Sequence, residues 1–441
     1  MASERHALVI VSDLHLGEGK DPATGKYSPL EDFRFDDIFA QFLSSQERWA
    51  SDIGYPLRLI IAGDLVDFLQ VLGHRKTPRL RNRLFTFGKR SPLRSHRLGR
   101  STSALNTMWK LEKIVAGHKT FFQALAGFLS RGHELIVLPG NHDIEWVFPE
   151  VQDAFKRALG DHVAVNSAEN IHGQVQFLPW FYLEPGLIYV EHGHQYCPVE
   201  SFDYFLHPFL PGGLIDLPLG SFFVRYLFNH VESSWPFADN MKPPAAFIWW
   251  ALKRTEAWRQ MPKYIRFFLE TLNKAGPLCC HWVEKQKATH GALLQDLSDK
   301  RELSLKTLKK LHMLWAPSAI HRRSTWGVLR QFSHVTAGSN DLSLEASCIS
   351  KIMGVRYIVF GHTHDAEHQI LLGTPPGAEY LNSGTWTKVF TPRSEERHFR
   401  KENEFVFVRV EPCKPKAELL RWDTRKKEGK AVRLYRRSGK G

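Results

Sequence analysis

Five short runs of apolar, largely β-branched residues each end abruptly in a polar cluster. Ala7–Val11 leads into Ser12-Asp13-Leu14-His15, and Leu57–Ala62 leads into Gly63-Asp64-Leu65-Val66-Asp67. Leu135–Leu138 precedes Gly140-Asn141-His142-Asp143, and Leu187–Val190 precedes His192-Gly193-His194. The last run, Tyr357–Phe360, precedes Gly361-His362-Thr363-His364. Near-continuous apolar runs of this length predict strands buried on both faces. Open α/β sheets gather ligands beyond the carboxyl ends of such strands. Five polar clusters are therefore expected to meet on one rim.

Between these runs the period changes. From Ser103, a candidate cap, to Arg131, the residues Leu105, Met108, Leu111, Ile114 and Val115 recur at helical spacing. Residues 201–335 carry helical signal and little strand signal. Aromatics from Phe222 to Phe268 are dense there, interleaved with Arg225, Lys253, Arg254, Arg259, Lys263 and Arg266. The chain thus divides into a core of residues 1–200 and 336–411, a helical insertion (cap) at 201–335 and a basic tail at 412–441. Most aromatics of the insertion are expected to form core. Amphipathic basic helices bearing Trp and Phe also lie at membrane surfaces, and the sequence does not separate the two uses.

The five clusters supply carboxylates, imidazoles and one amide oxygen, a set suited to hard or borderline divalent metals. Two metals sharing one carboxylate need about seven such ligands, and the clusters contain that number. In an extended segment residues two apart face the same way, so Asp13 and His15 can share one site, as can His362 and His364. Glycines at 63, 140, 193 and 361 allow tight turns and close backbone approach. Taken singly, an Asp at a strand end is commonly a turn former or helix cap, and one His among 22 is commonly structural. The ordered set carries the metal reading.

That set, D-x-H, G-D-x-x-D, G-N-H-D, H-G and G-H-x-H in order, resembles the calcineurin-like metallophosphoesterase superfamily. Tyr380–Trp386, with Asn382, is similar to the strand and turn after that family's last motif. The resemblance implies an α/β fold, a four-layer α/β/β/α sandwich carrying a large helical insertion, with two divalent metal ions at the sheet edge. It implies that Asp13, His15, Asp64 and His364 hold the first ion. Asp64 would bridge to the second, completed by Asn141, His192 and His362. Manganese is the expected metal, and iron or zinc suits the same ligands. The implied activity is a metal-dependent phosphoesterase in which a bridging hydroxide attacks phosphorus in line with the leaving oxygen. His142 would protonate the leaving group, and Asp67 would orient His142. His194 is expected not to be a ligand, and Asp143 and Asp365 are expected to support the site or face solvent.

Departures narrow the substrate. Phe68, Leu69 and Asp143 stand where protein Ser/Thr phosphatases carry Arg, Gly and Glu. His192–Cys197, followed by Phe202-Asp203-Tyr204, resembles the UDP-2,3-diacylglucosamine pyrophosphatase branch, whose H-G-D-x-x-C stretch precedes a helical lid. His194 replaces the Asp of that branch, and this chain is longer. The implied substrate is a lipid- or nucleotide-linked phosphodiester or pyrophosphate. A nuclease and a non-catalytic scaffold on the same fold are the alternatives.

The net charge of +13 is unevenly spread over the 441 residues. Arg75–Arg100 holds eight Arg and two Lys, and no acidic residue occurs between Asp67 and Glu112. The tail from Pro412 carries eleven Lys or Arg against three acidic residues. Such runs attract anions, so the expected partners are an anionic phosphoester substrate and an anionic membrane surface in peripheral contact, with nucleic acid as the alternative. Five cysteines without a regular framework point to a reducing compartment. With no signal-like segment ahead of the first strand, a cytoplasmic location is expected, at most peripheral to the inner face of the membrane.

Overall fold

The computed structural model describes residues 5–72, 101–163, 171–210, 212–225, 229, 280–316, 341–372, 375–392, 399–402, 405–413 and 415–431. The Arg75–Arg100 run, the insertion aromatics from Tyr226 to Phe268 and residues 432–441 lie outside them.

The fold is mixed α/β, built on two facing sheets. The larger is ordered β16-β15-β14-β1-β2-β3-β4. Its parallel half is β1 (Ala7–Val11), β2 (Leu57–Ala62), β3 (Glu134–Leu138) and β4 (Val175–Phe177). Its antiparallel half is β14 (Val406–Val410), β15 (Ala417–Asp423) and β16 (Glu428–Ala431). The smaller sheet is ordered β10-β11-β9-β6-β5. There β6 (Ile188–Val190), β9 (Tyr357–Phe360) and β11 (Glu379–Ser383) are parallel. Its edge strands β5 (Tyr182–Glu184) and β10 (Ala366–Ile370) are antiparallel. A separate antiparallel pair joins β12 (Val389–Pro392) to β13 (Phe399–Glu402).

The period-two geometry of a strand explains why these runs are apolar throughout. Leu8 and Ile10 of β1, Ile60 of β2 and Ile136 of β3 point inward, against Ile188 and Val190 of β6 and Val359 of β9. Ala7, Val9 and Val11 point the other way, into the cluster formed with the helices. Each buried Val, Leu or Ile adds roughly 1.5–3 kcal/mol of hydrophobic stabilisation. Helix α1 (Asp36–Asp52) supplies Phe39, Phe42 and Leu43 to that outer cluster.

The helical stretch expected over Ser103–Arg131 is two helices, α2 (Ala104–Gly117) and α3 (Lys119–Ser130). The break falls at His118, beside Gly117, where a Cβ would lie 1.9 Å from the Glu18 carbonyl oxygen, so the loop after the first motif crosses close against the helix end. Helix α4 (Pro149–Gly160) contributes Val151, Phe155 and Leu159 to the same cluster.

The described part of the insertion contains a short hairpin, β7 (Phe209–Leu210) with β8 (Leu214–Ile215), and three helices. These are α5 (Leu219–Phe223), α6 (Cys280–Arg301) and α7 (Leu305–His312). Beyond α7, Trp315 packs edge-on to Trp180 and Phe205, and the Ala316 amide donates to the Gln195 carbonyl at 2.8 Å. The insertion is thus fastened to the loop after His192. Helix α8 (Ser343–Met353) then packs on β9 and β11.

The expected tail boundary at 412 is corrected. β15 and β16 complete the large sheet, with Ala417 and Leu419 buried between the sheets and Leu420 and Trp422 buried on the opposite face. The basic residues of this stretch obscured that alternation. Arg421, for example, is exposed while Leu420 and Trp422 beside it are covered.

Candidate metal centre

All five polar clusters stand at carboxyl ends of parallel strands: three on the large sheet and two on the small one. Because the sheets face each other, these ends share one rim. The ligand atoms of Asp13, His15 and His364 lie within 4.8 Å of one another. The same holds for Asp13, Asp64 and His192, and for His15, Asp64 and His142. Asp64 therefore belongs to two groups, one reaching each side.

Close distances define the centre. His364 Nε2 is 3.1 Å from Asp13 Oδ1 and 3.1 Å from His15 Nε2. His15 Nε2 lies 3.7 Å from Asp64 Oδ2. On the other side, His192 Nε2 is 3.1 Å from Asp64 Oδ2 and 3.2 Å from Asn141 Oδ1. The His362 ring is centred 5.3 Å from that of His192, and its backbone N–H donates to Asp13 Oδ2 at 3.0 Å. All seven expected ligands are brought together.

The arrangement fits a bound cation on its own chemistry. His192 Nδ1–H donates to the Ala62 carbonyl at 2.8 Å, leaving Nε2 aimed at two oxygen acceptors, Asp64 Oδ2 and Asn141 Oδ1. With Nδ1 so tethered, Nε2 and the two oxygens converge on one point, where a proton or a bound cation satisfies all three. Asp13 Oδ1 is buried and accepts no well-formed hydrogen bond. Two motif glycines leave room for ligands. A Cβ at Gly140 would lie 2.0 Å from Asp64 Oδ1, and one at Gly361 would lie 2.5 Å from Asp13 Oδ2.

The expected extended geometry at the paired ligands is also corrected. Asp13, His15, Asp64, His362 and His364 all have left-handed backbone, with φ between 50° and 67°. This conformation costs an L-residue roughly 1–2 kcal/mol, so the surroundings must impose it. Leu14 N and His15 N both donate to the Asp64 carbonyl at 2.9 Å, and Gly361 N donates to the His192 carbonyl at 3.0 Å. Thr385 Oγ1 and Trp386 N hold the Asp13 carbonyl. Asn382 Nδ2 donates to the Gly361 carbonyl at 2.8 Å, bracing the last motif.

Charge balance follows from these contacts. Burial would raise the carboxyl pKa of Asp64, but His192, His142 and His15 outweigh it and hold the group well below the usual range. Burial is likewise overcome at Asp13, chiefly by His192 and His364. Burial lowers His192, yet Asp64 and Asp13 push it up to about 9. Burial, reinforced by His192, keeps His362 down at about 3, a neutral imidazole suited to coordination.

Beside the centre, His142 Nδ1 donates to Asp67 Oδ2 at 2.7 Å, and the His142 ring meets His15 edge-on at 4.7 Å. Burial lowers His142, but Asp67 and Asp64 raise it to about 9. His194 is buried, with neither ring nitrogen hydrogen-bonded and its ring against Phe205. Asp365 is exposed.

Asp143, expected to support the site or face solvent, is buried and supports it, and Glu31 is a contributor that the motifs did not single out. The buried Asp143 carboxylate accepts from Gly140 N at 2.7 Å and Leu65 N at 2.8 Å, tying the second motif to the third. Glu31 accepts from Gly17, Gly19 and Phe33 amides and fixes the loop beyond His15. The Asp143–Leu65 bond joins residues 78 positions apart, which no periodicity reveals. No protein-family model matches this chain, and comparison with curated proteins finds no match.

Proposed function

We propose that this chain is a dinuclear metal-dependent phosphoesterase of the calcineurin-like metallophosphoesterase type. The observation that carries the reading is Asp64 Oδ2, which lies 3.7 Å from His15 Nε2 on one side and 3.1 Å from His192 Nε2 on the other. Helices on the outer side of both sheets, with the rim motifs at strand ends, support a four-layer α/β/β/α sandwich beneath it.

Asp13, His15, Asp64 and His364 would hold one ion, and Asp64, Asn141, His192 and His362 the other. Two such cations supply Lewis acidity, neutralising charge on phosphoryl oxygens and acidifying water. Manganese is the proposed metal, with iron and zinc compatible with the same donors.

The protein's own part is positioning and proton transfer. Asp67 fixes the His142 Nδ1–H, which leaves Nε2 to serve the departing oxygen. Despite burial, Asp67 raises the His142 pKa, which favours the protonated form that donates. The left-handed turns at Asp13, Asp64 and His364 hold their side chains at the rim before substrate arrives, so little reorganisation accompanies reaction.

For the substrate, the segment His192–Cys197 and its adjoining insertion support a lipid- or nucleotide-linked phosphodiester or pyrophosphate. Screening the manganese-loaded protein against phosphomonoesters, cyclic nucleotides, nucleotide sugars, lipid-linked pyrophosphates and an oligonucleotide pool tests this. Preferential release of phosphate or nucleotide from a linked pyrophosphate supports it. Salt-sensitive cleavage of the oligonucleotides instead favours a nuclease.

A further inference from the structure

Asn141 is the one amide among the candidate ligands, and only one of its two terminal atoms can serve. The oxygen donates electron pairs to a cation, whereas the NH2 group is a hydrogen-bond donor with no such pair to give. The terminal torsion of an asparagine side chain is broad and roughly two-fold, so the protein must choose which end faces the centre.

The choice is made from across the rim. Asn141 Nδ2 donates to Glu200 Oε2 at 3.1 Å, and Oδ1 is thereby left 3.2 Å from His192 Nε2. Glu200 is held against the first turn of α5. A Cβ at Gly220 would lie 1.6 Å from Glu200 Oε1, and the Gly220 amide donates to the Val199 carbonyl at 2.8 Å. Ser221 Oγ donates to the Asn141 backbone carbonyl at 3.0 Å and lies 3.5 Å from Glu200 Oε2.

We propose that Glu200 is a positioning residue that turns the Asn141 amide so that its oxygen faces the centre. The Glu200 Oε2 oxygen accepts from the NH2 end of Asn141, and that pairing turns the amide oxygen the other way, toward His192. Ser221 fixes the backbone on which the amide turns, and both contacts reach the centre from the start of the insertion. This inference rests on the dinuclear reading, in which Asn141 serves the ion shared by Asp64, His192 and His362.

The test is calorimetric titration of the metal-free full chain with manganese(II), with thermal unfolding measured alongside. Glu200→Gln is nearly isosteric, but its amide can pair with either end of Asn141, so selection is lost. Affinity at one of two sites should fall about 10–100-fold, the range for partners that orient a ligand. The other site and metal-free stability should stay as in the parent. The double variant Asn141→Asp with Glu200→Gln should recover the weakened site, because a carboxylate presents oxygen whichever way it turns.

Unchanged affinities in Glu200→Gln overturn the inference while leaving two ions in place. Equal losses at both sites, or no recovery in the double variant, also overturn it and make Glu200 a packing residue. A parent chain that binds fewer than two ions overturns the dinuclear reading itself.

Discussion

Asp67 Oδ2 accepts a 2.7 Å hydrogen bond from His142 Nδ1, and the pair joins the second polar motif to the third beside Asp64. The contact fixes the ring, leaves the other nitrogen for substrate and favours the protonated form of His142. If His142 protonates the leaving oxygen, His142→Ala should slow esters of poor leaving groups by roughly 10²–10⁴-fold. Nitrophenyl esters, whose leaving oxygen needs little protonation, should lose much less. Asp67→Asn should show the same selectivity more weakly. Steady-state rates over a leaving-group series check this, and equal losses throughout would assign His142 to phosphate or metal binding.

Gly140 allows Asp64 to reach the centre. Gly140→Ala would press a methyl group onto Asp64 Oδ1, and overpacking of this kind typically costs about 1–3 kcal/mol. Manganese affinity should drop together with the melting temperature. Gly173 meets nothing within 4 Å of an added Cβ and does not have left-handed backbone, so Gly173→Ala should change stability by less than about 0.5 kcal/mol. Paired melting curves and metal titrations distinguish the two.

His118 gives a stability profile separate from the metal centre. It is buried between α2 and α3, with Nδ1 3.0 Å from Asp36 Oδ1 and Nε2 3.3 Å from Glu31 Oε2. Burial lowers its pKa, but Asp36 and Glu31 raise it to about 9. A folded value above the unfolded one means the stabilisation is complete below about pH 6.5 and is lost as pH rises through about 9. The full effect is of order 3 kcal/mol. Denaturant midpoints measured from pH 6 to 10 should decline more in the parent than in His118→Gln. Parallel profiles would show that His118 carries no charge in the fold.

Much of the rim was legible because a strand buried on both faces leaves a continuous apolar record, and each record ended at a ligand. The parallel order of β1, β2 and β3 follows from that pattern. β15 was hidden because the basic residues that flank it, Lys414, Lys416 and Arg425 to Lys427, mask a short strand in which Ala417, Leu419, Leu420 and Trp422 are buried. The close crossing at Gly117 involves Glu18, a residue about 100 positions away. Glu200 was likewise invisible: its role comes from pairing with Asn141, 59 positions earlier, and no local spacing encodes it. The left-handed turn at Asp64 is imposed by hydrogen bonds from the first motif, so propensity alone would not place it.

The central claim is that Asp64 joins two metal sites, and metal analysis of the manganese-reconstituted chain with parallel turnover of a nitrophenyl phosphodiester tests it most directly. The parent should hold two ions per chain and turn over. Asp64→Asn should lower occupancy of both sites and remove most activity, whereas His364→Ala should mainly empty the site of Asp13 and His15. A parent chain that holds one ion or none while retaining full turnover would contradict the dinuclear account.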